Sequence, residues 1–334
     1  MKRINKLNWK SSFLLSLLFP LLLVGCKKDE ESTTSAPVLG ETEISVITTS
    51  FGNCISEIIS LGSSDITAKG FCWSSYPLPT IDDFISTNSS GDLDAGFYSG
   101  IFNGFELNTT YYIRSWATNA DGTGYGAQLE FHTPRNSILD YDGNSYSSLI
   151  IGNQEWLVQN LKVTHLQDGT EIPNVTDHTA WEALSTPAYC WYDNASANKD
   201  TYGALYNWAT VNTGQLCPDG WHVPSESEWA TLVNFLGGES LAGGRLKEPG
   251  IFHWISPNVG PGDSYFYALP GGKRGNSTVG DGEFLRMGSY AYWWTSTEID
   301  ADNANSRSIT NGSDYIYNYG NRKEYGLSVR CISD

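Results

Sequence analysis

The chain has 334 residues, 40% hydrophobic and 13% aromatic, which is enough for two ordinary domains with buried cores and too apolar for a disordered chain. Lys and Arg total 20 against 37 Asp and Glu, a net charge of −17. That balance argues against a nucleic-acid backbone as partner, which needs clustered cations, and against peripheral binding to anionic lipid.

The first segment, MKRINKLNWKSSFLLSLLFPLLLVGCKKDEE, joins a basic start (Lys2, Arg3, Lys6, Lys10) to an apolar run from Phe13 to Val24. The run is too short to cross a ~30 Å hydrocarbon core as a helix, and its flanks suit an export signal. Leu23-Val24-Gly25-Cys26 resembles a bacterial lipobox. The resemblance implies that residues 1–25 are a lipoprotein signal peptide and that Cys26 carries the lipid that anchors the mature chain to a membrane. An ordinary secretory signal is the alternative. Lys27-Lys28-Asp29-Glu30-Glu31 resembles the surface-export signal of Bacteroidota lipoproteins, which implies an outer-membrane, cell-surface location; a plain solvated leash is the alternative. Residues 26–38 then read as a lipidated flexible tether. Outside the cytoplasm thiols tend to pair. Five remain besides Cys26, namely Cys54, Cys72, Cys190, Cys217 and Cys331, so at least one stays unpaired or pairs between chains.

Residues 39–134 read as short β-strands. TEISVITTSF and ITAKGFCWSS mix β-branched or aromatic residues with polar ones, and TTYYIRSWATN alternates, with Tyr111, Ile113, Ser115 and Ala117 on one side. Gly, Asn, Asp and Pro clusters separate the runs, the pattern of an all-β sandwich. AKGFCWSSYPLPT, FELNTTYYIRSWATNADGTGYG and LEFHTP resemble a bacterial fibronectin type III-like module. In that fold Trp116 is a core residue, and Cys54 and Cys72 fall on neighbouring strands, close enough to form a disulfide.

Residues 135–144, RNSILDYDGN, form the joint to a second domain, 145–334, of different texture, with nine Trp and many Gly and Asn. Helical spacing occurs in two places. One is YGALYNWATVNT, residues 202–213. The other follows CPDGWHVPSESEW, where Ser225 and Glu228 fit a capping box, Trp229, Leu232, Val233 and Leu236 follow at helical spacing, and Gly237-Gly238 ends the run. Both Glu226 and Glu228 sit in the first turn, where the helix dipole favours negative charge. His222 has no His four residues on, and no Cys-x-x-Cys occurs, so a zinc site is not indicated. A Cys217 thiolate activated by His222 or His253 does not suit an oxidising compartment. No catalytic residue is assigned.

IGNQEWLVQNLKVTHLQDGTEIP, YCWYDN, YGALYNWATV, CPDGWHVPSESEWATL, GGRLKE, YFYALPGGKR, GSYAYWWTSTE and YGLSVRCI occur in that order. Together they resemble the Fibrobacter succinogenes major paralogous domain, an extracellular module. The resemblance implies an α+β fold like that of C-type lectins and formylglycine-generating enzymes, with a long bridge joining the start of the second helix to the last strand. Cys217 and Cys331 occupy those places. The calcium triplets of sugar-binding lectins are not matched by Glu248-Pro249-Gly250 or Trp191-Tyr192-Asp193-Asn194, and the paired reactive cysteines of the oxidase are not matched either.

Two binding features remain. Asn258 and Asp263 in SPNVGPGDS, with backbone oxygens, can offer oxygen ligands to calcium, the alternative being a plain surface loop. Trp254, Tyr265, Tyr267, Tyr292, Trp293 and Trp294 form a candidate stacking platform for a sugar, weighed against rings that simply fill a core. On a strand Trp293 and Trp294 face opposite sides, so at least one is expected inside. The sequence therefore reads as a non-enzymatic surface lipoprotein, its sandwich a spacer and its lectin-like domain a recognition head for glycan or protein. The alternatives are a structural cell-envelope module without a small ligand, and an enzyme on a formylglycine-generating scaffold.

Overall fold

The computed structural model describes residues 34–86, 93–135, 137–275 and 284–334. Residues 1–25, expected to be a signal peptide, Cys26 and most of the expected tether lie outside them. Among the described residues no helix is long and apolar enough to cross a membrane.

The N-terminal part is built of antiparallel strands: β1 (Val38–Leu39), β2 (Glu43–Ile47), β3 (Phe51–Ser60), β4 (Ala68–Ser74), β5 (Phe84–Ser86), β6 (Gly96–Asn103), β7 (Thr110–Asn119), β8 (Gly122–Tyr125) and β9 (Leu129–His132). β3 pairs with β6 on one side and with β2 and β1 on the other; β7 pairs with β4 on one side and with β8 and β9 on the other. The two sheets close over one core, in which Cys54, Ile58, Tyr98 and Phe102 meet Phe71, Trp73, Ile113 and Phe131. β7 turns Tyr111, Ile113, Ser115 and Ala117 inward, as its alternation predicts, and Trp116 is buried as well. Gly52 is required on β3, because a Cβ there would sit 2.1 Å from the Phe102 ring. That ring touches Trp73, Phe105 and Phe131, so its loss would cost roughly 3–5 kcal/mol.

The expected Cys54–Cys72 disulfide is not formed. Cys54 faces the core from β3, with its thiol donating to Gly100 O at 3.4 Å. Cys72 lies on β4 between Phe71 and Trp73, which both face the core, so strand parity turns Cys72 to the other side of its sheet. Its thiol donates to Pro79 O at 3.4 Å.

The C-terminal part adds β10 (Ile138–Leu139), β11 (Ser145–Tyr146), β12 (Ser148–Ile151), β13 (Gln154–Leu157), β14 (Tyr189–Cys190), β15 (Leu205–Tyr206), β16 (Trp221–His222), β17 (Lys273–Arg274), β18 (Phe284–Leu285), β19 (Tyr290–Glu298), β20 (Asn303–Thr310), β21 (Ile316–Arg322) and β22 (Ile332–Ser333). Five short helices join them: α1 (His178–Glu182), α2 (Lys199–Tyr202), α3 (Trp208–Val211), α4 (Glu226–Phe235) and α5 (Glu239–Leu246). One sheet crosses from the first part to the second in the order β1-β3-β2-β12-β13-β22-β16. The crossing is made by Ile47 opposite Ile150 and Val46 opposite Ile151. Residues 137–144 carry β10 and a turn in which Asp140 accepts from Asn144 and from the Tyr146 hydroxyl.

The helix expected over 202–213 is broken. Gly203, at φ +78°, stops α2, strand β15 intervenes, and Asn207 caps a new single turn, α3. Helix α5 was not legible because GGESLAGGRL carries glycines where helices avoid them. Those glycines have a packing reason: a Cβ on Gly243 would meet Tyr315 O at 2.5 Å, and one on Gly244 would meet Asp314 Oδ1 at 2.2 Å. They let α5 lie against the segment leading into β21.

The aromatic rings divide into two cores on either side of β19. Trp293 packs with Trp156, Trp229 and Phe266, and Trp294 packs with Tyr206, Trp208 and Tyr292. Both tryptophans are 0% exposed. Their indoles donate to Asn160 Oδ1 at 2.9 Å and Tyr206 O at 2.8 Å, which removes the cost of burying an N–H. Cys217 and Cys331 form a disulfide across a sequence separation of 114, with Cα atoms 6.1 Å apart. Cys54, Cys72 and Cys190 are buried free thiols.

Two outcomes are expected. Replacing both Cys217 and Cys331 by Ser should lower the unfolding free energy by about 4–5 kcal/mol in the chain-entropy account, measured by urea denaturation. Peptide mapping without reduction should find Cys54, Cys72 and Cys190 alkylated only after unfolding.

Candidate functional site

Two polar constellations stand out in the C-terminal part. The first is at the start of α4. Ser225 Oγ accepts from Glu228 N at 3.3 Å, and Glu228 Oε2 accepts from Ser225 N at 2.7 Å, so both halves of the capping box are present. Trp229, Leu232 and Val233 form the buried face. The sequence did not foresee a further link. His222 donates from Nε2 to Glu228 Oε1 at 2.8 Å and from Nδ1 to Asp334 Oδ1 at 2.7 Å. A carboxylate at each ring nitrogen holds the doubly protonated imidazolium. Burial works to lower the His222 pKa, but the hydrogen bonds and charges of Asp334 and Glu228 outweigh it and the pKa is raised. Glu228 is moved the other way: burial raises it, while its bonds to Ser225 and to His222 lower it overall. These groups tie a helix end to the C-terminus.

The second constellation is a cleft of about 470 Å³ lined by residues on Val158–Asn160, Thr201, Glu248, Pro249, Tyr267, Leu269 and Arg330. Asn160 organises its floor. Its Oδ1 accepts from Trp293 Nε1 and from Arg330 Nη2 at 3.2 Å and Nε at 3.3 Å, and its Nδ2 donates to Tyr202 O at 2.9 Å. Arg330 also donates from Nη1 to Phe266 O at 2.5 Å, with its guanidinium 4.0 Å from the Phe266 ring centroid. It is 1% exposed, and burial pulls its pKa down to about 9, which leaves it charged at neutral pH.

The cleft wall is set by an unusual stretch of backbone. Tyr265 and Tyr267 have φ of +58° and +50°, a region costly for residues with bulky side chains. Between them Phe266 enters the core against Trp156, Trp229 and Trp293. Tyr267, at 40% exposure, lines the cleft, and Tyr265 meets Phe51 of β3 edge-on with ring centroids 5.0 Å apart. In the cleft lining Glu248 accepts from His253 Nδ1 at 2.8 Å, and His253 in turn touches the rings of Tyr202 and Phe252. Phe252 is 87% exposed, and Ile251 beside it is also exposed, so an apolar lip continues from Pro249. Burial first, and then the Glu248 charge among others, raises the pKa of Tyr202 and Tyr267, so both stay neutral hydroxyls.

The six-residue platform is therefore corrected. Trp254, Tyr292, Trp293 and Trp294 are buried, because both faces of β19 are covered and Trp254 donates to Ala268 O from inside the second core. Tyr265 and Tyr267 alone of the six reach the surface layer, and only Tyr267 is in the cleft wall. Asn258 donates to Glu248 O and Gly250 O, holding the loop, while Asp263 lies 3.9 Å from Arg245. Among the described residues no group of three or more His, Cys, Asp or Glu converges as metal ligands. Burial pushes the thiols of Cys72 and Cys190 up to about 12, so neither is a ready nucleophile. Asn160 and Arg330 were not singled out from the sequence, and Glu248 was considered only within a calcium triplet that its neighbours Pro249 and Gly250 do not match. The one signal for Arg330 was a charge inside the apolar run GLSVRCI, which reads as a buried strand.

Ser225→Ala should lower stability by about 1 kcal/mol, read by thermal melting. The His222 contribution should be complete below its unfolded value of 6.5 and fade as pH rises through the higher folded value. The Glu228 contribution should be present above 4.5 and fade as pH falls through its lower folded value. His222→Ala should therefore flatten the decline on the alkaline side. Glu228→Gln should be more costly below that decline than above it, because the amide then faces a charged imidazolium.

The cleft, the capped helix and the disulfide all fall within residues 149–333, which match the family model of the Fibrobacter succinogenes major domain. No curated protein and no solved structure matches the chain. The family match takes in more than half of the 334 residues, and the chain belongs to the Fibrobacter succinogenes major domain family.

Proposed function

We propose that the protein is a non-enzymatic recognition protein of the bacterial outer surface, held to the membrane by a lipid on Cys26. In this reading the N-terminal sheets form a fibronectin type III-like spacer and the C-terminal part is a C-type lectin-like head that binds glycan. The observation that carries it is Tyr267, turned outward on a strained backbone beside a cleft that holds a few placed polar groups. Binding sites combine apolar walls with a few placed polar groups, and this cleft sets a tyrosine face and an apolar lip against Gln159, Asn160, Thr201, Glu248 and Arg330. Backbone strain persists where surrounding structure enforces it, and it clusters at ligand sites. The lipobox Leu23–Cys26 and the charges behind it support the location.

On a glycan array the full chain should bind a defined set of sugars. Tyr267→Ala should abolish that binding and leave the melting temperature within a few degrees. Binding that survives Tyr267→Ala, or binding to a protein ligand with no sugar bound, would overturn the glycan reading of this cleft. Cys26→Ser should move the protein from the membrane fraction to the soluble fraction; retention in the membrane would place the anchor elsewhere.

A further inference from the structure

Arg330 is a buried cation in the cleft wall, and among the described residues no carboxylate lies within ion-pair reach of it. This is unusual in a chain with 37 acidic residues and 20 basic ones. Arg307, equally buried, is paired with Glu226 and lies 3.7 Å from Glu239. Burial among carbonyls and rings is not enough to define a site. Arg274 is also buried, bonded to Val175 O and Thr176 O and stacked on Trp181. What Arg330 adds is its place in the wall of an open cleft.

A guanidinium has five N–H donors. Nε and one N–H of Nη2 go to Asn160 Oδ1, and one N–H of Nη1 goes to Phe266 O. One N–H on each Nη remains. Two donors on one planar group suit the two oxygens of a carboxylate, and a charge-assisted pair in a water-poor site is among the stronger polar contacts. Glu248 is in the same cleft but is engaged by His253 and flanked by Tyr202 and Tyr267. Its carboxylate offers acceptors for hydroxyl groups.

Resting on the glycan reading of this cleft, we infer that the ligand is an acidic sugar of the uronic-acid class. Its carboxylate sits on Arg330, its ring lies against Tyr267, and its hydroxyls donate to Glu248. A cleft of about 470 Å³ suits one or two sugar rings.

The test is calorimetric titration of the full chain with oligogalacturonate and oligoglucuronate, and with the same oligosaccharides after reduction of each carboxyl to a hydroxymethyl group. The acidic form of one series should bind at least tenfold more tightly than its reduced form. Arg330→Gln should remove that preference. Because Arg330 is buried and its replacement can impair folding, Glu248→Gln provides a second arm. Removing the negative charge should tighten the acidic sugar severalfold and leave its reduced form unchanged or weaker. Equal binding of acidic and reduced forms, abolished by Tyr267→Ala, would overturn the carboxylate inference and leave the glycan reading standing. Failure of both forms to bind would overturn the inference; binding of other sugars on the array, lost in Tyr267→Ala, would then still support the glycan reading. Tighter binding of sulfated neutral oligosaccharides than of uronates would also overturn it, by assigning Arg330 to a sulfate ester.

Discussion

The last few residues of the chain hold the C-terminal part together. β22 is two residues long, yet Ile332 lies opposite both Trp156 of β13 and His222 of β16, bridging strands far apart in sequence. Cys331 closes the disulfide to Cys217, Arg330 lines the cleft and donates to Asn160, and Asp334 accepts from His222. Arg135, at the entry to this part, donates to Ser333 Oγ at 2.7 Å. A strand so short has little pairing energy of its own. Its position depends on the covalent bridge, which removes loop-closure entropy from the unfolded chain. Cleft geometry is therefore coupled to the bridge, since Arg330 and Cys331 are neighbours in sequence.

A second constraint is the sheet shared between the two parts. Val46 of β2 belongs to the same core as Trp156 and Trp293, and Ile150 of β12 packs against the core of the N-terminal sheets. Phe51 of β3 rests on Tyr265, next to the strained pair that turns Tyr267 into the cleft. The N-terminal sheets thus support one wall of the cleft from behind. Left-handed backbone at two tyrosines persists only because neighbours on both sides hold it. Phe266, inserted among Trp156, Trp229 and Trp293, secures it from within.

Local signals carried through where the physics is local. Ser225 and Glu228 cap a helix because both partners lie within one turn. The alternation of β7 placed its inner face because side chains on a strand alternate whatever the strand packs against. The helical spacing at 202–213 failed because Gly203 and Asn207 provide a stop and a new cap inside the window, and these outweigh a weak periodicity. α5 stayed hidden because its glycines serve contact with Asp314 and Tyr315, some 70 residues away in sequence.

By itself the sequence determined the all-β character of the N-terminal part and the inner face of β7, where α4 starts, and, through the family resemblance, that Cys217 joins Cys331; it read NADGTGYG as a separator, where the structure has strand β8. Only the tertiary structure decided which aromatic rings are reachable. Trp293 and Trp294 face opposite ways, as any strand requires, but covering both faces of β19 needs two separate cores assembled from distant segments. The Cys54–Cys72 expectation failed on the same ground: parity within β4 is local, but which face of that sheet meets β3 is set by how two sheets close on each other. The cleft is the clearest case. Asn160, Glu248, Tyr267 and Arg330 span 170 residues of sequence between the first and the last. No spacing rule brings them together; the shared sheet, the bridge and the buried rings do.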